Sequence, residues 1–192
     1  MIGMLLYAAI VGSGIASDDG ARVARPVAIE AACEASLALI RFQVARPGNS
    51  VVYSDWQGAA ERDFDPGDYH WSPMPYARKH RVPVPSGPRI RRSHRLDNLG
   101  FSAVRHCSSV RRFLDRHRVA YGADAVEQAF RRRDPKAVFI SVSLAAIDAS
   151  GRQAVVTFGS TGLFGGGGWA MALVRDATGR WRPSYSTPTW IT

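Results

Sequence analysis

Soon after position 25, apolar residues recur at helical spacing. Ile29, Cys33, Leu37, Ile40 and Val44 share one stripe, while Glu30, Glu34 and Arg41 lie off it. Such a pattern predicts an amphipathic helix packed along one side. Arg25-Pro26 opens it, because proline's missing N–H would be unpaired in a first helical turn anyway, and Pro47-Gly48-Asn49 closes it. Val51-Val52-Tyr53 then reads as a short strand. A second stripe, Val104, Cys107, Val110, Leu114 and His117, predicts another helix with weak spots at Ser108-Ser109 and a stop at Tyr121-Gly122. Ala123 to Arg133 predicts a third helix. Its last turn carries Arg131-Arg132-Arg133, where cations suit the negative end of the helix dipole.

From Ala137 the period becomes that of strands. Val138 to Leu144, Ala154 to Phe158, Trp169 to Arg175 and Trp181 to Tyr185 are β-rich and separated by turn or glycine segments. Short strands with close turns form an antiparallel meander. The expected fold class is α+β, with two to three helices covering one face of a four-stranded antiparallel meander.

Residues 54–100 show no sustained period. Pro66, Pro73, Pro75, Pro83, Pro85 and Pro88 remove backbone donors too often for a helix or a central strand. Trp56, Phe64, Tyr69, Trp71 and Tyr76 are nevertheless more aromatic rings than a disordered linker carries. The expectation is a long irregular excursion pinned to the body by its rings, and a place where a site could sit.

The length, 192 residues, suits one domain. Its first segment, MIGMLLYAAIVGSGI, resembles the apolar core of a secretory leader, with Gly14 and Ala16 as the small residues before the polar Ser17-Asp18-Asp19-Gly20. Residues 1–16 are therefore read as a signal peptide and 17–192 as the mature domain, although no Lys or Arg precedes the apolar run. The run is shorter than the roughly twenty residues a membrane-spanning helix needs, so no transmembrane helix is expected in the mature chain. A periplasmic or secreted location follows; if 1–16 is retained, the protein is cytoplasmic.

Charge adds one qualification. Lys and Arg total 25 against 16 Asp and Glu, for a net charge of +9. All but Lys79 and Lys136 are arginine, a bias that GC-rich coding produces without any ligand. The acidic block Asp55, Glu61, Asp63, Asp65 and Asp68 precedes a basic one that includes Arg78, Lys79, Arg81, Arg89, Arg91, Arg92 and Arg95. Two such blocks can neutralise each other within the chain. Arg89, Arg91, Arg92 and Arg95 are the candidate anion-facing residues; a nucleic-acid partner is not favoured.

The stretches ISVSLAAIDASGRQAVVTF and GLFGGGGWAMALVRDATGRW and the closing WIT resemble the C-terminal part of a family of uncharacterised bacterial proteins, many apparently exported. That resemblance implies a strand meander and an envelope compartment, and no known reaction. Family members carry cysteines in the glycine loop, where this chain has Thr161-Gly162 and Phe164. A looser likeness joins the chain to cone-shaped nuclear-transport-factor-like domains, through helices followed by a meander.

Candidate chemistry is sparse. Cys33 and Cys107 each lie on the stripe of a different helix. They form one disulfide if the stripes face each other in an exported protein, or otherwise pack as two buried thiols, and the leader tips the reading toward the bond. His106-Cys107 with His117 would suggest a thiol nucleophile, but neighbours on a helix point about 100° apart. Gly165 to Gly168 could cradle phosphate, yet the following WAMALV is strand-like, so a flexible hairpin loop or closely approaching strands fits better. Trp169, Trp181 and Trp190 read as sheet packing before they read as a ligand wall. His70, His80, His94 and Trp71 are the candidate ligand-facing residues of the excursion.

No catalytic constellation, cofactor or metal site is expected. The leading functional expectation is an exported, non-enzymatic binding or envelope-associated domain whose partner is an envelope protein or an anionic surface. The alternatives are a small hydrolase with its site between the 54–100 excursion and the sheet, near His70, His80, His94 and Asp55, and a nonspecific polyanion binder.

Overall fold

The computed structural model describes residues 19–44, 50–55, 69–85, 101–162 and 165–191. Its helices are α1 (Asp19–Val44), α2 (Pro75–His80), α3 (Ala103–His106), α4 (Ser108–Arg116) and α5 (Ala123–Arg131). The strands are β1 (Ser50–Tyr53), β2 (Ser72–Pro73), β3 (Ala120–Tyr121), β4 (Ala137–Val142), β5 (Ala146–Ile147), β6 (Gln153–Gly162), β7 (Gly165–Arg175) and β8 (Trp181–Ile191).

All eight strands join one sheet, in the order β2-β8-β7-β6-β4-β1-β3 with β5 on β6. The α+β class is as expected, and the four predicted strands lie in antiparallel order as β8, β7, β6 and β4. The sheet itself is larger and mixed, which corrects the four-stranded reading. β1 pairs parallel to both β3 and β4, in register Val52↔Ala120 and Val52↔Phe139. Parallel strands need a crossover connection, and α5 lies in the one from β3 to β4, which flank β1.

Helices occupy both faces, a second correction. Alternation along the strands divides the core: Ile140, Val142, Val156, Met171 and Leu173 join α1, α3 and α4. Side chains one residue out of phase face the other way. Val52 and Phe139 meet Val126 of α5, while Val155, Ala170, Ala172 and Tyr185 meet Ala77 of α2.

Of the predicted stripe on α1, Cys33, Leu37 and Ile40 are buried, whereas Ile29 is 47% exposed; Ala32, Ala35, Ser36 and Leu39, all fully buried, widen the buried side beyond it. Small residues bring the helix axis close enough for one side chain to reach the strand connection. The Ser36 hydroxyl lies 2.9 Å from the Ala32 carbonyl and 3.0 Å from that of Ser143, and accepts the Ala145 N–H at 3.0 Å.

Cys33 and Cys107 form a disulfide with Cα atoms 5.5 Å apart, tying α1 to the junction of α3 and α4. Cys107 is extended (φ −108°, ψ 106°), so the predicted single helix is two helices meeting at the cystine. The Ser102 hydroxyl caps α3 by accepting the Arg105 N–H at 3.4 Å.

The proline-rich excursion contains more regular structure than its sequence suggested. Pro75 opens α2 from the first helical turn, and Pro73 lies on β2, an edge strand. Tyr69, Trp71 and Val82 pack on the second sheet face, and the Tyr185 hydroxyl donates to the Val82 carbonyl at 2.6 Å. The expected pinning by aromatic rings is realised in this described part. The glycine run is a strand, not a flexible loop. A Cβ on Gly166 would lie 2.8 Å from the Ser160 carbonyl oxygen, and one on Gly167 would lie 2.7 Å from the Trp169 ring. That ring stacks on Phe158 at 5.5 Å.

Candidate functional site

One flank of α1 is left beside the start of β8. Leu37, Ala38 and Phe42 line that flank, the last two one helical turn apart, and Trp181 and Pro183 line the same groove of about 740 Å³. Glu34, Arg41, Arg180 and Arg182 complete the lining. The lining thus mixes apolar side chains with charged ones.

Both acids beside this groove are already engaged. In the β7–β8 turn, Asp176 accepts the Thr178 hydroxyl at 2.6 Å, the Arg182 Nε–H at 2.8 Å, and the Thr178 and Arg180 N–H groups at 2.9 and 3.0 Å. The Thr178 hydroxyl and Arg182 hold its carboxyl well below the usual carboxylate range. Glu34 accepts from Arg175 Nη2 at 3.0 Å. Arg41 and Arg180 have no carboxylate partner among the described residues. Arg41 lies over the Phe113 ring, its guanidinium carbon 5.6 Å from the centroid. The groove therefore carries an excess of positive charge.

Trp181 adds a further signal. It is only 8% exposed, and the Arg175 guanidinium covers its ring at 4.8 Å. Its Nε1–H and the neighbouring Arg175 Nε–H are shielded from solvent and have no acceptor among the described residues. Buried donors of this kind are rare in folded proteins.

A second cavity, about 470 Å³, opens where β1, β3 and β4 begin, against the end of α1 and the face of α5. Its walls are mostly valine and alanine, with Arg132 and Asp134 among the polar lining residues. The Tyr53 hydroxyl donates to Gln43 Oε1 at 3.2 Å, and burial pushes its phenol well above the usual range. Neutral and already paired, this phenol is a packing element, and the cavity's mixed rim charges favour no ligand class.

The structure separates the other sequence candidates. Trp71 packs toward the sheet, whereas His70 and His80 are exposed, the latter with its ring 4.4 Å from Tyr76. Among the described residues neither histidine hydrogen-bonds to a carboxylate or hydroxyl. His94, Arg89, Arg91, Arg92 and Arg95 lie outside the described residues, as does the 1–16 leader. Cys107 is in the disulfide and is not a thiol nucleophile; His106 packs on Phe101 and His117 on Phe113. The glycine run does not open a helix, so it forms no phosphate cradle. Among the described residues, no His, Cys, Asp or Glu side chains cluster as a metal site. No helix among them is long and apolar enough to cross a membrane.

Trp181 was read from sequence as packing, and it is both core and groove floor. Arg41 and Arg180 were missed altogether, because nothing local in the chain joins residues whose walls meet only through the fold. Comparison of the chain with protein-family models, with curated proteins and with solved structures gives no match.

Proposed function

We propose that this protein is an exported, non-enzymatic binding domain that holds an anionic, partly apolar small molecule in the groove between α1 and β8. The observation that carries the reading is the meeting of Leu37, Ala38, Phe42 and Pro183 with Arg41 and Arg180, which have no carboxylate partner among the described residues, while the adjacent acids are engaged by Arg175 and Arg182. Export is supported by the leader pattern of residues 1–16 and by the buried Cys33–Cys107 bridge, since such bonds persist in oxidising compartments. An envelope setting also fits the C-terminal resemblance.

Calorimetric titration with naphthalene-2-sulfonate tests the groove. Saturable one-to-one binding is expected, weakened at least tenfold by Arg41→Gln with Arg180→Gln and much weaker for neutral 2-naphthol. Heats that do not saturate, or binding indifferent to both arginines, would sink the reading.

A further inference from the structure

On the face of the sheet opposite α1, the helix α2 and the turn after it carry cations without counter-charge. Arg78, Lys79, His80 and Arg81 are all exposed, and none makes an ion pair among the described residues. β2 and α2, and the strand β8 on which both rest, contain no Asp or Glu; the sequence has none between Asp68 and Asp97. We infer that this basic turn docks the protein on an anionic lipid surface, with Pro83 and Val84 entering the headgroup layer beside Arg78, Lys79 and Arg81. The groove between α1 and β8 plays no part in it.

Backbone and side-chain bonds hold the turn in place, so these groups are presented together. Ala77 is 2% exposed, packed in one cluster with Tyr185. The Met74 N–H donates to the Ser184 carbonyl at 2.8 Å, and the Tyr185 hydroxyl donates to that of Val82. Arg81 ends α2 in the left-handed conformation (φ 50°), and the Val82 N–H donates back to the Ala77 carbonyl at 3.1 Å. Val82 is therefore half-buried while Pro83 and Val84 stand out, the latter 55% exposed. One exposed valine is ordinary on a protein surface; this one lies three residues beyond Arg81, at the tip of an acid-free patch.

The chemistry favours a bilayer over a nucleic acid. Stacking on bases asks for free aromatic faces. Here Tyr69 and Trp71 pack toward the sheet, and the Tyr76 ring lies 4.4 Å from that of His80. Phosphate groups of either partner would meet the cations, but a lipid interface also takes the aliphatic tip out of water.

Flotation of the oxidised mature chain with vesicles of one part phosphatidylglycerol to three parts phosphatidylcholine tests the inference. Binding is expected to these vesicles, not to phosphatidylcholine alone, and should weaken as salt is raised. Arg78→Gln/Lys79→Gln/Arg81→Gln should lower the partition coefficient at least about tenfold, since each cation beside an anionic leaflet is worth roughly fivefold. Arg132→Gln/Arg133→Gln/Lys136→Gln removes the same charge from exposed positions after α5 and should change it less than about threefold. Val84→Ser should lower it about two- to fivefold and leave its salt dependence unchanged. Equal losses in the two triple variants would show that net charge alone drives binding and would overturn the inference. So would equal binding to neutral vesicles, or no binding at all. Tighter binding to a DNA duplex through the same three cations, with Val84→Ser silent, would overturn it in favour of a nucleic-acid partner.

Discussion

Breaking the Cys33–Cys107 bond should cost this protein more than any single substitution on its surface. The bond joins residues 74 apart and encloses the whole proline-rich excursion. In the loop-entropy description, a closed loop of that size restricts the unfolded chain by about 4.5 kcal/mol at 25 °C. The two residues it joins are buried, at the contact of α1 with the α3–α4 junction. For a chain of this length each kcal/mol moves the melting midpoint by about 2–4 °C, so loss of the bond should lower it by roughly 9–18 °C. Thermal unfolding followed by circular dichroism, with the oxidised protein compared against Cys33→Ala/Cys107→Ala, reads the difference directly. The double variant also removes two buried sulfur atoms, so a chain reduced while unfolded and then refolded under reductant serves as the second arm. A drop below about 3 °C in both arms would refute the reasoning. Alkylation of two thiols in the untreated native protein would refute it too.

Three further outcomes follow from individual contacts. Ser36→Ala leaves the buried Ala145 N–H without its acceptor and the Ser143 carbonyl without its donor, and should cost about 1–3 kcal/mol in urea unfolding. Gly166→Ala drives a Cβ to 2.8 Å from the Ser160 backbone oxygen and should destabilise by about 1–3 kcal/mol; at Gly151, where nothing lies within 4 Å, the cost is only that of a positive φ. Asp176 has a depressed folded-state pKa, so its contribution is present above the unfolded carboxylate value and lost as pH falls through the folded one. The stability gap between wild type and Asp176→Asn should therefore be constant near neutrality and shrink from about pH 4 downward, measured by urea midpoints across pH.

The parts of the fold that were legible in sequence are those with local periodicity. β4, β6, β7 and β8 were visible because alternation and turn residues mark each one separately. The disulfide was visible because its cysteines lie on two apolar stripes. The misreadings have physical causes. Weighting large apolar residues in α1 found Cys33, Leu37 and Ile40 but included the exposed Ile29 and passed over Ala32, Ala35 and Ser36, which let the helix approach the sheet. Prolines were taken to exclude structure, but Pro75 starts a helix and Pro73 is tolerated on an edge. The parallel pairing of β1 was hidden because its neighbours β3 and β4 lie more than sixty residues further along the chain. The groove was hidden for the same reason: Glu34 and Arg175, 141 residues apart, meet only after the sheet has formed.

The most direct test of the central claim is a nitrogen–proton correlation spectrum recorded during titration with naphthalene-2-sulfonate. Trp181→Phe assigns the indole signal of Trp181, a residue that lines the groove. The account predicts a saturable shift of that indole resonance, together with backbone amides of 34–42 and 179–183. Shifts confined to 43–53 and 118–132 would place binding in the smaller cavity and contradict it. So would a spectrum that does not change.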